Sequence, residues 1–146
     1  MPVKKLRLDK DTDAQAIGWA LATTARSYKI AWTLNKLVQV ELERVKDIEV
    51  VHAQKKNISH FVCYSWQEEE NRFQLFLTEN QCGNHFMLSK LKPFALFLII
   101  TGTAEPGLAE QLSEAMRAAD EVQVLRELKT TELEKLLPFF AEYELP

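Results

Sequence analysis

At 146 residues, 47% apolar and 27% charged, the chain is long enough to bury a core of its own, so it needs neither disulfides nor a structural metal to fold. Its net charge of −3, with basic residues clustered only at Lys4, Lys5 and Arg7 and then Lys10, argues against a duplex nucleic-acid footprint. The longest apolar run, Phe94 to Ile100, is seven residues, far short of the roughly 20 that a membrane helix needs.

Residues 2–10 mix charges with aliphatics and lack the apolar stretch of a signal peptide. The two cysteines fit a reducing compartment as free thiols, so a cytoplasmic protein is expected. Four glycines and five prolines leave few break points, and residues 1–146 read as a single domain ending in an apolar tail over 137–146.

In chain order, Val3, Leu6 and Leu8 mark a short strand over residues 3–8, followed by a polar connection from Asp9 to Gln15. Residues 16–23 alternate, with Ile17, Trp19 and Leu21 on one face and Ala16, Gly18, Ala20 and Ala22 on the other. That pattern predicts a strand whose small face lets another element approach closely, although the alanines also suit a helix. Ser27 is placed to cap a helix of about 12 residues with Ala31, Leu34, Leu37 and Val38 on its apolar side. Residues 46–53, 60–66 and 72–78 read as strands, the last two joined in a hairpin by the acidic stretch Gln67 to Asn71. Residues 94–101 predict a central strand buried on both faces. Leu108, Leu112, Met116 and Ala119 mark a helix near 105–119 with Pro106 in its first turn, and Val122, Val124, Arg126 and Leu128 suggest a last strand. Thr131 and Glu134 have capping-box spacing for a short helix that Pro138 limits. The order predicts an α+β domain: a mostly antiparallel sheet of about six to seven strands with two to three helices.

The segment Ser27-Tyr28-Lys29-Ile30-Ala31-Trp32-Thr33-Leu34-Asn35, the hairpin strand Phe73-Gln74-Leu75-Phe76-Leu77 and the ending Leu128-Lys129-Thr130 together resemble the bacterial IPExxxVDY family, over about residues 3–137. The naming motif of that family would fall on Leu88 to Leu96. Its first, seventh and ninth positions are hydrophobic here, while its proline, glutamate and aspartate are replaced by Ser89, Lys90 and Ala95. The resemblance implies an ordered intracellular domain and no particular activity.

Chemistry is sparse. His60-x-x-Cys63 and Cys82-x-x-His85 together have the residue types of a tetrahedral zinc site. In a strand, however, residues three apart point to opposite faces, and lone cysteines often behave as small hydrophobes, so neither metal nor cofactor is expected. No feature activates Cys63 or Cys82 as a redox pair. There is no nucleophile elbow, phosphate loop or His-Glu-x-x-His pattern, and His52, His60 and His85 are the near-neutral bases available. Asp9, Asp11 and Asp13 alternate like part of a calcium loop, without its glycine and terminal glutamate. Glu68, Glu69 and Glu70 read as a charged hairpin tip, and Asn35 as a residue that bonds either a ligand or nearby backbone.

The aromatic positions carry more. Phe61, Cys63 and Ser65 alternate with Val62, Tyr64 and Trp66, while Phe73, Leu75 and Leu77 oppose Phe76, so both sheet faces bear large apolar groups. These must be covered by helices, by the tail, or by another molecule. The leading expectation is a non-catalytic, self-associating interaction module: a homodimer through Val62, Tyr64, Trp66 and Phe76, or through Phe139, Phe140 and Tyr143. An enzyme without a readable motif and an RNA-associated protein are the alternatives. Nucleic acid and membrane are not expected partners, and no small-molecule ligand is indicated.

Overall fold

The structure, a computed structural model, describes residues 16–52, 57–70, 72–104 and 106–143; the expected strand over 3–8 and the alternating aspartates lie outside them. The described residues form an α+β fold, as expected from sequence. The elements are β1 (Ile17–Thr23), α1 (Ser27–Val38), β2 (Glu43–Arg44), β3 (Ile48–His52), β4 (Asn57–Phe61), β5 (Cys63–Gln67), β6 (Phe73–Glu79), β7 (Gln81–Cys82), β8 (His85–Phe86), β9 (Leu96–Gly102), α2 (Leu108–Ala118), β10 (Val122–Glu127) and α3 (Thr130–Leu136). Short 3-10 turns span Ser89–Leu91 and Leu137–Tyr143.

Six strands make one antiparallel sheet in the order β10-β1-β9-β6-β5-β2. The apolar run becomes β9, inside the sheet between β1 and β6, where Phe97, Leu98 and Ile99 are fully buried. On one sheet face, Trp19, Leu21, Leu75, Leu77, Leu98 and Ile100 pack on Ile30, Ala31 and Leu34 of α1 and on Leu112 and Met116 of α2. On the other, Ala20, Cys63, Phe76, Phe97 and Ile99 meet Leu133 and Leu136 of α3, Phe140 of the tail, and Ile48 and Phe61 of the β3–β4 hairpin. Both faces are therefore covered within one chain.

The small face of β1 has the consequence expected of it. A Cβ on Gly18 would lie 2.9 Å from Leu128 Cδ1 and 3.1 Å from Leu133 Cδ2, so glycine is what lets α3 and its lead-in approach the sheet. Gly102 closes β9 with φ +92°, and a Cβ there would meet the Arg72 carbonyl oxygen at 2.5 Å.

Several expectations are corrected. The predicted strand over 60–66 is two strands: Phe61 ends β4, paired with Ile48, and Cys63 begins β5, paired with Thr78. The single step at Val62 moves the chain between sheets without breaking the alternation, so Phe61 and Cys63 still share a side. The α1 helix begins at Ser27 with Arg26 in the capping position, and the Ser27 hydroxyl donates to Glu79 Oε2 at 2.6 Å instead of capping. Leu37 is 56% exposed and is no part of the core stripe. The α3 cap is shifted two residues from Thr131 and Glu134: the Glu132 carboxylate accepts the Lys129 N–H at 2.8 Å and the Arg126 guanidinium at 3.0 Å. No described helix is long and apolar enough to cross a membrane.

Candidate functional site

The zinc candidates do not converge. Cys63 is buried in the second core cluster, and burial pushes its thiol up to about 12, which disfavours the thiolate a metal needs. Cys82 and His85 pair across the β7–β8 turn, and Cys82 Sγ accepts the His60 backbone N–H at 3.4 Å. The His60 ring lies instead beside Glu49, with Nδ1 3.8 Å from Oε2. His85 stacks on His52 with ring centroids 3.9 Å apart. Among the described residues, no three His, Cys, Asp or Glu side chains are gathered to hold a metal ion.

The same geometry bears on acid–base chemistry. His52 Nε2 is 2.7 Å from Ser59 Oγ, but Ser59 is 2% exposed, so its hydroxyl has no room for an attacked carbonyl. The His60–Glu49 pair is half exposed on the hairpin and lines neither cleft described below. Asn35 turns its amide inward: Nδ2 donates to the Leu42 carbonyl at 3.0 Å and Oδ1 accepts the Leu42 N–H at 2.8 Å, which fixes the turn after α1.

The seven aromatic and aliphatic side chains expected at an interface are dispersed. Cross-strand register pairs Tyr64 with Leu77 and Trp66 with Leu75, on the helix-covered face, but pairs Phe76 with Ser65 on the opposite one. Phe76 therefore does not share a face with Val62, Tyr64 and Trp66. It is fully buried against Phe140, itself fully buried, with centroids 4.6 Å apart. Phe139 is partly buried beside them, and Tyr143 falls in the last 3-10 turn. Phe140 of the tail thus packs on its own sheet. Trp66 is half-buried, edge-on to Phe73 at 5.5 Å, and lines a cleft of about 310 Å³ with Leu108 and Gln39. Val62 and Tyr64 line a second cleft of about 490 Å³ at the start of α1, with Arg26, Tyr28, Arg44 and Leu96.

That second cleft opens onto the outer face of α1. Tyr28 and Trp32 are each 60% exposed. Tyr28, Trp32 and Lys36 are spaced i, i+4, i+8, which places them in one row along the helix. The Lys36 ammonium lies 5.0 Å from the centre of the Trp32 ring, and a cation over an indole face holds that ring in place. Residues 26–38 contain Arg26, Lys29 and Lys36 and no acidic residue. The whole chain carries −3, so this segment carries +3 and the remainder −6. Across the cleft, Arg44 is tied to Asp47 at 2.9 Å, and Glu79 accepts the Ser27 hydroxyl. The helical spacing places Leu37 in the core stripe and gives no role to Tyr28 and Trp32. The legible signal was the pair of aromatics at i, i+4 on the side of the helix opposite Ile30 and Leu34, with lysines about them.

No protein-family model matches the chain, and no curated protein is significantly similar to it.

Proposed function

We propose that this domain is a non-catalytic interaction module, cytoplasmic and without a cofactor, whose binding surface is the outer face of α1 together with the cleft at its start. The observation that carries the reading is the row Tyr28–Trp32. Two large aromatics stand exposed a single turn apart, while the sheet aromatics are spent inside the fold. Tryptophan, tyrosine and arginine are the residues that most often dominate binding energy at interfaces. Free, unpaired cysteines, one of them deeply buried, are consistent with a reducing compartment. Self-association, expected from sequence, would not use Phe76 or Phe140, which are buried against one another within the chain.

The test is a photo-crosslinking amino acid introduced in place of Trp32, with one in place of the exposed Val124 on β10 as the control. A discrete adduct from position 32, absent from position 124 and lost when Tyr28 is changed to serine, is expected. An adduct in the purified protein alone identifies a second copy, and one that needs cell extract identifies a different partner. No adduct under either condition, or equal adducts from both positions, contradicts the reading.

A further inference from the structure

From the charge and spacing of this face we infer that its partner is an acidic amphipathic helix of another protein, an assignment that rests on the reading of α1 as a docking surface. Three observations narrow the partner to that chemistry. The first is sign: Lys29 and Lys36 on α1 and Arg26 before it border the aromatics, the helix itself carries no acid, and Glu79 is an acid of the cleft at its start, where it accepts the Ser27 hydroxyl. A second copy presenting its own α1 would set these three cations against three more, and like charges across an interface are unfavourable. The second is spacing. Residues 28, 32 and 36 rise about 6 Å per step along the helix, the same step that i, i+4 side chains make on a partner helix. Apolar side chains of that partner would rest on Tyr28 and Trp32, and its flanking carboxylates would face the cations, as charged residues beside a coiled-coil seam do.

The third observation is the number of charges. Proteins that bind nucleic acid tightly engage about 6–10 phosphates, whereas three cations against a single strand give a log–log salt slope of only about −2. The −6 on the rest of the chain opposes a long polyanion further, but a short acidic helix needs little more than the strip itself. Aromatics with adjacent cations could also stack bases, so single-stranded RNA is the competitor that the experiment must separate.

Three fluorescein-labelled probes decide it, read by anisotropy against the full chain. One is a capped peptide of about 18 residues, long enough to be helical, with leucine at i, i+4 spacing and glutamate elsewhere. The second has lysine for glutamate, and the third is an oligouridylate of matched charge. The acidic peptide is expected to bind at least about tenfold more tightly than either of the others. Trp32→Ala, and separately Arg26→Glu with Lys29→Glu and Lys36→Glu, should each weaken it about tenfold or more, while Lys90→Glu with Lys92→Glu should not. Should Trp32→Ala lose its fold by circular dichroism, Trp32→Gln takes its place. Tighter binding of the oligouridylate overturns the assignment, as does indifference to both α1 variants or absence of acidic-peptide binding up to millimolar concentration. If the position-32 adduct forms and the acidic peptide still does not bind, the partner chemistry is wrong and the docking surface stands. If neither is seen, both fail.

Discussion

At the scale of single residues, Asn80 and Glu68 hold structure that their sequence context does not announce. Asn80 is fully buried between β6 and β7; its Nδ2 donates to the Leu91 and Phe94 carbonyls at 3.0 Å, and its Oδ1 accepts the Leu88 N–H at 2.9 Å. Asn80→Ala strands those backbone groups in the interior, and a loss of about 2–4 kcal/mol in urea denaturation is expected. Cys63 and Cys82 should separate chemically: a thiol reagent should titrate Cys82 alone in the native protein, and Cys63 only after unfolding, because burial keeps its thiol protonated. Glu68 was read as part of a solvated tip but is 9% exposed. The Arg72 guanidinium donates to both its oxygens at 3.0 and 3.1 Å, as do the backbone N–H groups of Glu70 and Arg72. The Arg72 hydrogen bond is the main cause that lowers its carboxyl to about 2. A folded value below the unfolded one gives stability that is in full above the ordinary carboxylate range and is lost as pH falls toward about 2. Wild type should therefore exceed Glu68→Gln at pH 7, and the gap should close on acidification. A gap independent of pH contradicts this.

At the scale of elements, the sequence disclosed what is local. The twofold alternation of β5 and β6 and the uninterrupted run of β9 were legible because each is fixed by neighbours a few residues away. Leu98→Ala, in the middle of β9, should cost about 2–5 kcal/mol. What needs the third dimension was not legible. The step at Val62 leaves the alternation intact while the chain changes sheets, so no period reveals it. The Glu132 cap uses a carboxylate that also holds Arg126 on β10, so it formed in a register that spacing alone did not favour. The small face of β1 was legible as permission for close approach, but the visitor, Leu128 and α3, was not. Gly18→Val should push that contact apart and cost about 1–3 kcal/mol by thermal or chemical denaturation; an unchanged midpoint would mean that α3 does not pack there.

At the scale of the whole molecule, the sequence posed the right question about two apolar sheet faces but could not say what covers them. Alternation reports that both faces are greasy and carries no information about a tail some 60 residues further on. The structure gives one face to α1 and α2 and the other to α3, Phe140 and the β3–β4 hairpin. The large exposed aromatics among the described residues, Tyr28 and Trp32, then belong to the outside of α1. If Tyr28 and Trp32 serve binding and not folding, removing them should leave the fold nearly untouched. The direct measurement is urea denaturation of the double variant Tyr28→Ser with Trp32→Ser. The account predicts a loss of less than about 1 kcal/mol, as for surface substitutions, together with loss of binding to the acidic peptide. A loss of about 3–5 kcal/mol or more, the cost of deleting a buried aromatic, would show that this face is part of the core and contradict its role as a docking surface.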